Sequence, residues 1–170
     1  MVIGGHGVAS DRRRDPRAAP MSFEEFFLEQ HDLLYRALFF ITGSADEADD
    51  LAQEAFVKLW ERWDRMDRID DPTAYLFRVA LNGFRTRLRR AKAAARRVLP
   101  TVHARDPFDE IELREDVRRL LAALPARQRA ALVLTEIIGY DSAQAGSILG
   151  IRATTVRVLA SQGRAAMRAT

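Results

Sequence analysis

Four carboxylates fall within five positions of the segment ADEADDLAQEAFVKLW, Ala45 to Trp60: Asp46, Glu47, Asp49 and Asp50. Such a cluster can ligate a hard divalent cation through oxygen, or it can present a negative face to a basic macromolecule. The metal reading needs ligands from a second helix. No Glu-x-x-His pair accompanies the cluster, and His6, His31 and His103 are scattered along the chain. His31 lies in an amphipathic pattern and reads as a helix-face residue. Part of the acidic pattern is ordinary helix chemistry, because Ser44 and Glu47 form a capping box and carboxylates suit the positive end of the helix dipole. Gln53 and Glu54 carry the polar face into the helix body, beyond anything that capping requires.

The opposite charge gathers elsewhere. From Pro72 to Arg105 no Asp or Glu occurs, while Arg78, Arg85, Arg87, Arg89, Arg90, Lys92, Arg96, Arg97 and Arg105 do. With 27 Lys and Arg against 24 Asp and Glu, the whole chain is only mildly basic. The total therefore says little about nucleic acid, whereas the segregation suits two partners of opposite sign. A solvated basic face is the competing reading of that run. The chain has no cysteine, which excludes a disulfide framework, a thiolate zinc site and a cysteine nucleophile. No apolar run approaches the roughly 20 residues of a membrane span, and MVIGGHGVAS lacks the pattern of a signal peptide. A soluble, cytoplasmic protein is expected. No nucleophile has an adjacent base, so neither an enzyme nor a cofactor is expected.

The elements that must position these charges can be read from caps and periodicity. Residues 1–20 show none and read as a disordered tail, or as an extension upstream of a start at Met21. Ser22 and Glu25 form a capping box that opens a helix running to about Thr42, and Gly43 can end it. The second helix starts after Ser44 and buries Ala48, Leu51, Ala52, Ala55, Leu59 and Trp63, with Glu54 pairing to Lys58. Trp60 and Trp63 both read as core or interdomain residues. After the polar loop DRMDRIDD, Asp71 caps and Pro72 starts a third helix that buries Tyr75, Leu76, Val79, Ala80, Phe84 and Leu88. Pro100 and Pro107 bracket a linker. Four further helices are expected over about 109–124, 126–138, 141–149 and 152–168. The fold class is all-α: two small helical domains, 21–97 and 108–170, joined by a flexible linker over 98–107.

Within the second domain, YDSAQAGSILGIRATTVRVLASQ has the proportions of a helix-turn-helix. Asp141 caps a short helix that ends near Gly150. Ala145 and Gly146 permit a close crossing, while Ile148, Leu149, Ile151, Val156 and Leu159 supply a shared core. Thr154, Thr155, Arg157 and Ser161 on the following helix could reach base edges or phosphates. A plain helical hairpin fits the same spacing.

DDLAQEAFVKLW, then PTAYLFRVALNGFRTRLRR, then LPARQRAALVLTEIIGYDSAQAGSILGIRATTVR, together resemble the two domains of an extracytoplasmic-function sigma factor. The likeness runs over about residues 22–168. It implies that Asp49, Asp50, Gln53 and Glu54 dock on the β′ clamp helices of core RNA polymerase. It implies that Asn82 reads the −10 element, with Arg85, Arg89 and Arg90 on its phosphates. The loop Arg65, Met66, Arg68 and Ile69 lies where the family captures a flipped-out base. The helix-turn-helix would read the −35 element through Arg152, Thr154, Thr155, Arg157, Ser161 and Arg164, beside the β flap. The implied partners are core polymerase, promoter DNA and an anti-sigma factor, with a monomer when none is bound. The chain departs from the family pattern at Tyr75, where Trp is usual, and at Thr86, often Asp. It departs again at Val158, Leu159 and Gln162, which thin the basic content of the −35 reader, and at Arg152, which replaces a Ser cap. The weakened recognition helix leaves one alternative, a degenerate sigma-like module that binds proteins; a second, a helix-turn-helix regulator that is not a sigma factor, is disfavoured because its first domain would supply ligand binding or dimerisation in place of an acidic docking helix joined to a basic one.

Overall fold

The computed structural model describes residues 21–95 and 112–169. Its elements are α1 (Phe23–Thr42), α2 (Ala45–Trp60), a 3-10 turn (Trp63–Arg68), α3 (Pro72–Ala95), α4 (Glu112–Ala122), α5 (Ala126–Leu132) running into a π-helical turn (Val133–Ile137), α6 (Ser142–Leu149) and α7 (Ala153–Arg168). Among the described residues there is no strand, and the all-α class stands. The expected tail over 1–20 and linker over 98–107 lie outside the described residues.

Local chemistry sets most helix ends. Ser22 Oγ accepts from the Glu25 N–H at 3.2 Å and Glu25 Oε2 accepts from the Ser22 N–H at 2.9 Å, which closes the capping box of α1. Gly43 turns left-handed, with φ 76°, and its N–H donates to the Phe39 carbonyl at 2.8 Å. At α2 only half of the expected box forms. Ser44 Oγ accepts from the Glu47 N–H at 3.3 Å, but the Ser44 N–H donates to Thr42 Oγ1 at 3.1 Å. Asp71 caps α3, accepting from the Ala74 N–H at 2.8 Å.

Helices α1, α2 and α3 close around Leu34, Leu38, Ile41, Leu51, Leu59, Leu76 and Leu81, all buried. Trp63 falls outside α2 and belongs to the 3-10 turn, where its ring meets Phe23 and Phe26 at centroid distances of 5.4 and 5.3 Å. In the second unit Leu121, Leu132, Leu134, Ile148 and Val156 form the centre. Helix α7 crosses α5 at Gly163, where a Cβ would lie 2.6 Å from Leu132 Cδ1. No larger residue fits that crossing without displacing Leu132.

The two units pack on one another, with α6 along α3 and with α4 and α5 against α1. Phe77, absent from the expected stripe of α3, is 1% exposed because Tyr140 covers it edge-on at 5.7 Å. Burial, aided by the charge of Asp71, pushes the Tyr140 phenol well above its usual value. Arg118 reaches within 3.5 Å of the Gly43 carbonyl at the α1 C-terminus.

Candidate docking and nucleic-acid interfaces

Helix α2 turns an arc of polar side chains outward. Ala48, Leu51, Ala52, Ala55 and Leu59 are buried as the periodicity requires, and Phe56 joins them. Asp50, Gln53 and Glu54 are exposed, Asp49 is half-buried, and the Gln53 amide donates to Asp49 Oδ2 at 2.7 Å. Glu54 pairs with Arg87 of α3 in place of Lys58. The same guanidinium lies 3.5 Å from Asp50 Oδ2. Burial works against the Arg87 charge, but the hydrogen bond to Glu54 and the charges of Glu54, Asp50 and Glu47 outweigh it and hold its pKa above the ordinary value.

Trp60 corrects the sequence reading. It is 62% exposed and takes no part in the core, and Val57 one turn earlier is 55% exposed. Asp49, Gln53, Val57 and Trp60 therefore make one stripe, acidic at its start and apolar at its end. Trp63, not Trp60, is the tryptophan that packs under α1, against Phe23 and Phe26.

Helix α3 carries a second stripe at i, i+4, i+7 and i+11: Arg78, Asn82, Arg85 and Arg89, all exposed. At 3.6 residues per turn this stripe stands roughly 150° around the helix from Gly83 and Arg87, which face α2. Arg85 bonds Asn82 Oδ1 with one amino group, and with the other it donates to the Leu149 carbonyl at 2.7 Å. Arg78 donates to Ser147 Oγ at 2.6 Å. Arg89 stays close to its own helix, 3.4 Å from Thr86 Oγ1, and Arg90 is exposed. The C-terminal end of α6 thus sits on this stripe. Its unpaired carbonyls attract the guanidinium of Arg85.

The loop expected over Arg65 to Ile69 is largely the 3-10 turn. Arg65 and Arg68 are exposed, whereas Met66 is 4% exposed in the core and Ile69 packs against it. Met66 is therefore unavailable to a base in this arrangement. Tyr75, at the departure from Trp, accepts from Arg62 at 3.1 Å and ties this turn to α3.

The α6–α7 turn has the geometry of a helix-turn-helix. Asp141 Oδ1 accepts from the N–H groups of Ala143 and Gln144, and Gln144 Oε1 accepts in return from the Asp141 N–H at 3.0 Å. Gly150 closes α6 at φ 67°, and a Cβ on Gly146 would stand 2.7 Å from the Ile151 carbonyl. On α7, Arg152, Thr154, Arg157 and Ser161 are exposed and Thr155 is half-buried. Arg152 occupies the N-cap without a side-chain bond, so Thr154 does not replace the missing Ser cap. Arg164 is committed elsewhere, donating to Glu136 Oε1 at 2.6 Å.

Among the described residues no group of His, Asp and Glu side chains could hold a metal ion, and no helix is long and apolar enough to cross a membrane. Residues 26–94 match the family model for sigma-70 region 2, and residues 114–167 match that for sigma-70 region 4. The chain is 31% identical to the ECF RNA polymerase sigma factor SigM of Mycobacterium tuberculosis, over 96% of this chain and 80% of that one. Its fold is similar to that of the sigma factor RpoE of Bartonella quintana, solved with the anti-sigma factor NepR. That likeness has a TM-score of 0.71 at 22% identity and covers 86% of this chain and 94% of the other. A further likeness is to CnrH, solved with the cytosolic domain of CnrY, with a TM-score of 0.62 at 27% identity over 86% and 85% of the two chains. Two region matches in order along the chain, with a relative aligned over 96% of this chain, make this protein a member of the extracytoplasmic-function RNA polymerase sigma factor family.

Proposed function

We propose that this sigma factor docks on a basic surface of core RNA polymerase through α2 and holds −10 DNA on α3. The observation that carries this reading is the separation of charge within one helical unit. Asp49, Asp50, Gln53 and Glu54 lie on the outer arc of α2, while Arg78, Asn82, Arg85 and Arg89 line the far side of α3. A partner on α2 leaves the α3 stripe free for phosphate and unpaired bases, whose edges and faces are what Asn82, Arg85 and Arg89 can bond. Val57 and Trp60 extend the docking stripe with the apolar anchor that protein interfaces favour. Helix α7 takes the −35 element through Arg152, Thr154, Thr155, Arg157 and Ser161. The protein supplies recognition, and the nucleotidyl chemistry belongs to polymerase.

DNA and α6 compete for the α3 stripe, because Arg78 and Arg85 are occupied by Ser147 and the Leu149 carbonyl. Promoter binding therefore requires the two units to separate, which matches a −10 and a −35 reader set on elements some distance apart. An anti-sigma partner that holds the units together would keep the stripe covered.

The test is Asn82→Ala in run-off transcription with purified core polymerase, paired with permanganate footprinting of the bubble. Initial promoter binding should hold while bubble formation falls. Normal melting by this variant overturns the assignment of the −10 element to α3.

A further inference from the structure

Arg87 stands in the middle of the basic run, yet its side chain leaves the DNA-facing stripe and crosses to α2. There the guanidinium bonds Glu54 Oε1 and lies 3.5 Å from Asp50 Oδ2, so one fork spans both carboxylates. The crossing depends on Gly83, one turn earlier on the same side of α3. A Cβ at that position would stand 3.0 Å from Leu51 Cδ2 and 3.9 Å from Glu54 Oε2. Helix α3 therefore approaches α2 closely where the two docking carboxylates emerge. Asp50 and Glu54 remain accessible, with side-chain exposures of 66% and 49%.

We propose that Arg87 is a positioning residue for polymerase docking, fixing the Asp50 and Glu54 carboxylates in one arrangement for the partner to meet. The proposal rests on the reading that α2 is the docking helix. A glutamate on a bare helix surface samples many rotamers, and a partner must stop that motion to bind it. The guanidinium has already stopped it. A planar guanidinium presents its donors to the two carboxylates in fixed directions, whereas a lysine ammonium is a point charge on a flexible stem, so lysine would serve poorly.

Arg87 also carries the same sign as a basic partner, and this gives the proposal a kinetic signature. Its removal makes the patch more negative, which speeds encounter, but frees the carboxylates, which shortens the lifetime of the complex. Positioning is the larger effect.

The experiment measures association and dissociation of the full chain with core polymerase for Arg87→Ala, Arg87→Lys, Asp50→Ala with Glu54→Ala, and the triple variant. Arg87→Ala should dissociate roughly 10-fold faster and associate no more slowly than the unaltered chain. Arg87→Lys should recover less than half of that loss. The triple variant should bind no more weakly than the Asp50, Glu54 pair, because Arg87 acts only through those carboxylates. Helicity and melting are followed in parallel, and if Arg87→Ala melts early the lysine variant decides. Affinity that is unchanged or tighter in Arg87→Ala, or a further loss of the same size when Arg87→Ala is added to the Asp50, Glu54 pair, overturns the proposal. Normal polymerase binding by the Asp50, Glu54 pair fails in a different way: it removes α2 as the docking helix, and the role of Arg87 falls with it.

Discussion

Helices α2 and α7 are both amphipathic and both turn a polar face to solvent, but the two faces are built to different standards. On α2 the side chains are held: Gln53 bonds Asp49 at 2.7 Å, and Arg87 reaches from α3 to Glu54 and Asp50. On α7 the N-cap makes no side-chain bond, Val158 is 54% exposed, and Gln162 bonds Gln128 at 3.3 Å. Arg164, which the sequence offers as a DNA contact, is tied to Glu136. Charge counted along a chain is therefore not the charge available to a partner. A cation engaged within its own unit adds to packing or to positioning, and phosphate is left to one that is unengaged or that is released when the units part, as Arg85 would be.

If α2 is the stronger interface, its largest single loss should come from the exposed indole. Trp60→Ala should weaken core polymerase binding by about 2 kcal/mol or more, the scale of a buried interface anchor, with no loss of melting temperature because the ring supports no core contact. A melting temperature that falls with unchanged affinity would return Trp60 to the structural role first read for it. The comparison sharpens on α7, where Arg157 is exposed and Arg164 is engaged. Arg157→Ala should cost roughly 1 to 3 kcal/mol and relax preference at one −35 position if it bonds a base edge. Arg164→Ala should change −35 affinity by less, since its cation already serves Glu136. Quantitative binding to a panel of −35 variants separates the two. The smallest effect concerns the cap: Arg152→Ser should raise the stability of the second unit by about 1 kcal/mol, measured by chemical denaturation.

Helix ends were legible in the sequence because capping is a matter of three or four neighbouring residues. Ser22, Gly43, Asp71, Asp141 and Gly150 all act where the local pattern puts them. What the pattern could not convey depends on which element comes over which. Trp60 and Trp63 are three positions apart and look alike in a window, and only the turn after α2 sends one inward and the other out. Phe77 reads as neutral until Tyr140 of the second unit covers it. Met66 sits in a segment that reads as a polar loop, yet the 3-10 turn points it inward. Arg87 is one of eight arginines in its run, and nothing within that run distinguishes it. Its place on the α2 side follows from i+4 spacing to Gly83, a signal that was present but needed the α2–α3 crossing to acquire meaning. The family resemblance singles out Asp50, Glu54 and Asn82 as candidates, while the geometry shows what each of them touches.

The separation of polymerase docking from DNA holding, on two faces of one helical unit, can be broken one face at a time. It is tested most directly by titrating core polymerase against three labelled proteins: the unaltered chain, Asp50→Arg with Glu54→Arg, and Arg85→Ala with Arg89→Ala. Exposed charges contribute little to folding, so all three should stay helical, with a modest drop in melting where the reversal sets like charge against Arg87. Charge reversal on α2 should abolish polymerase binding, because like charges then meet across the interface. The α3 variant should bind polymerase normally and lose promoter affinity, with a salt dependence flattened by up to about 0.9 for each duplex phosphate contact removed. Polymerase affinity that survives the α2 reversal, or that falls equally in the α3 variant, would contradict the separation of the two faces.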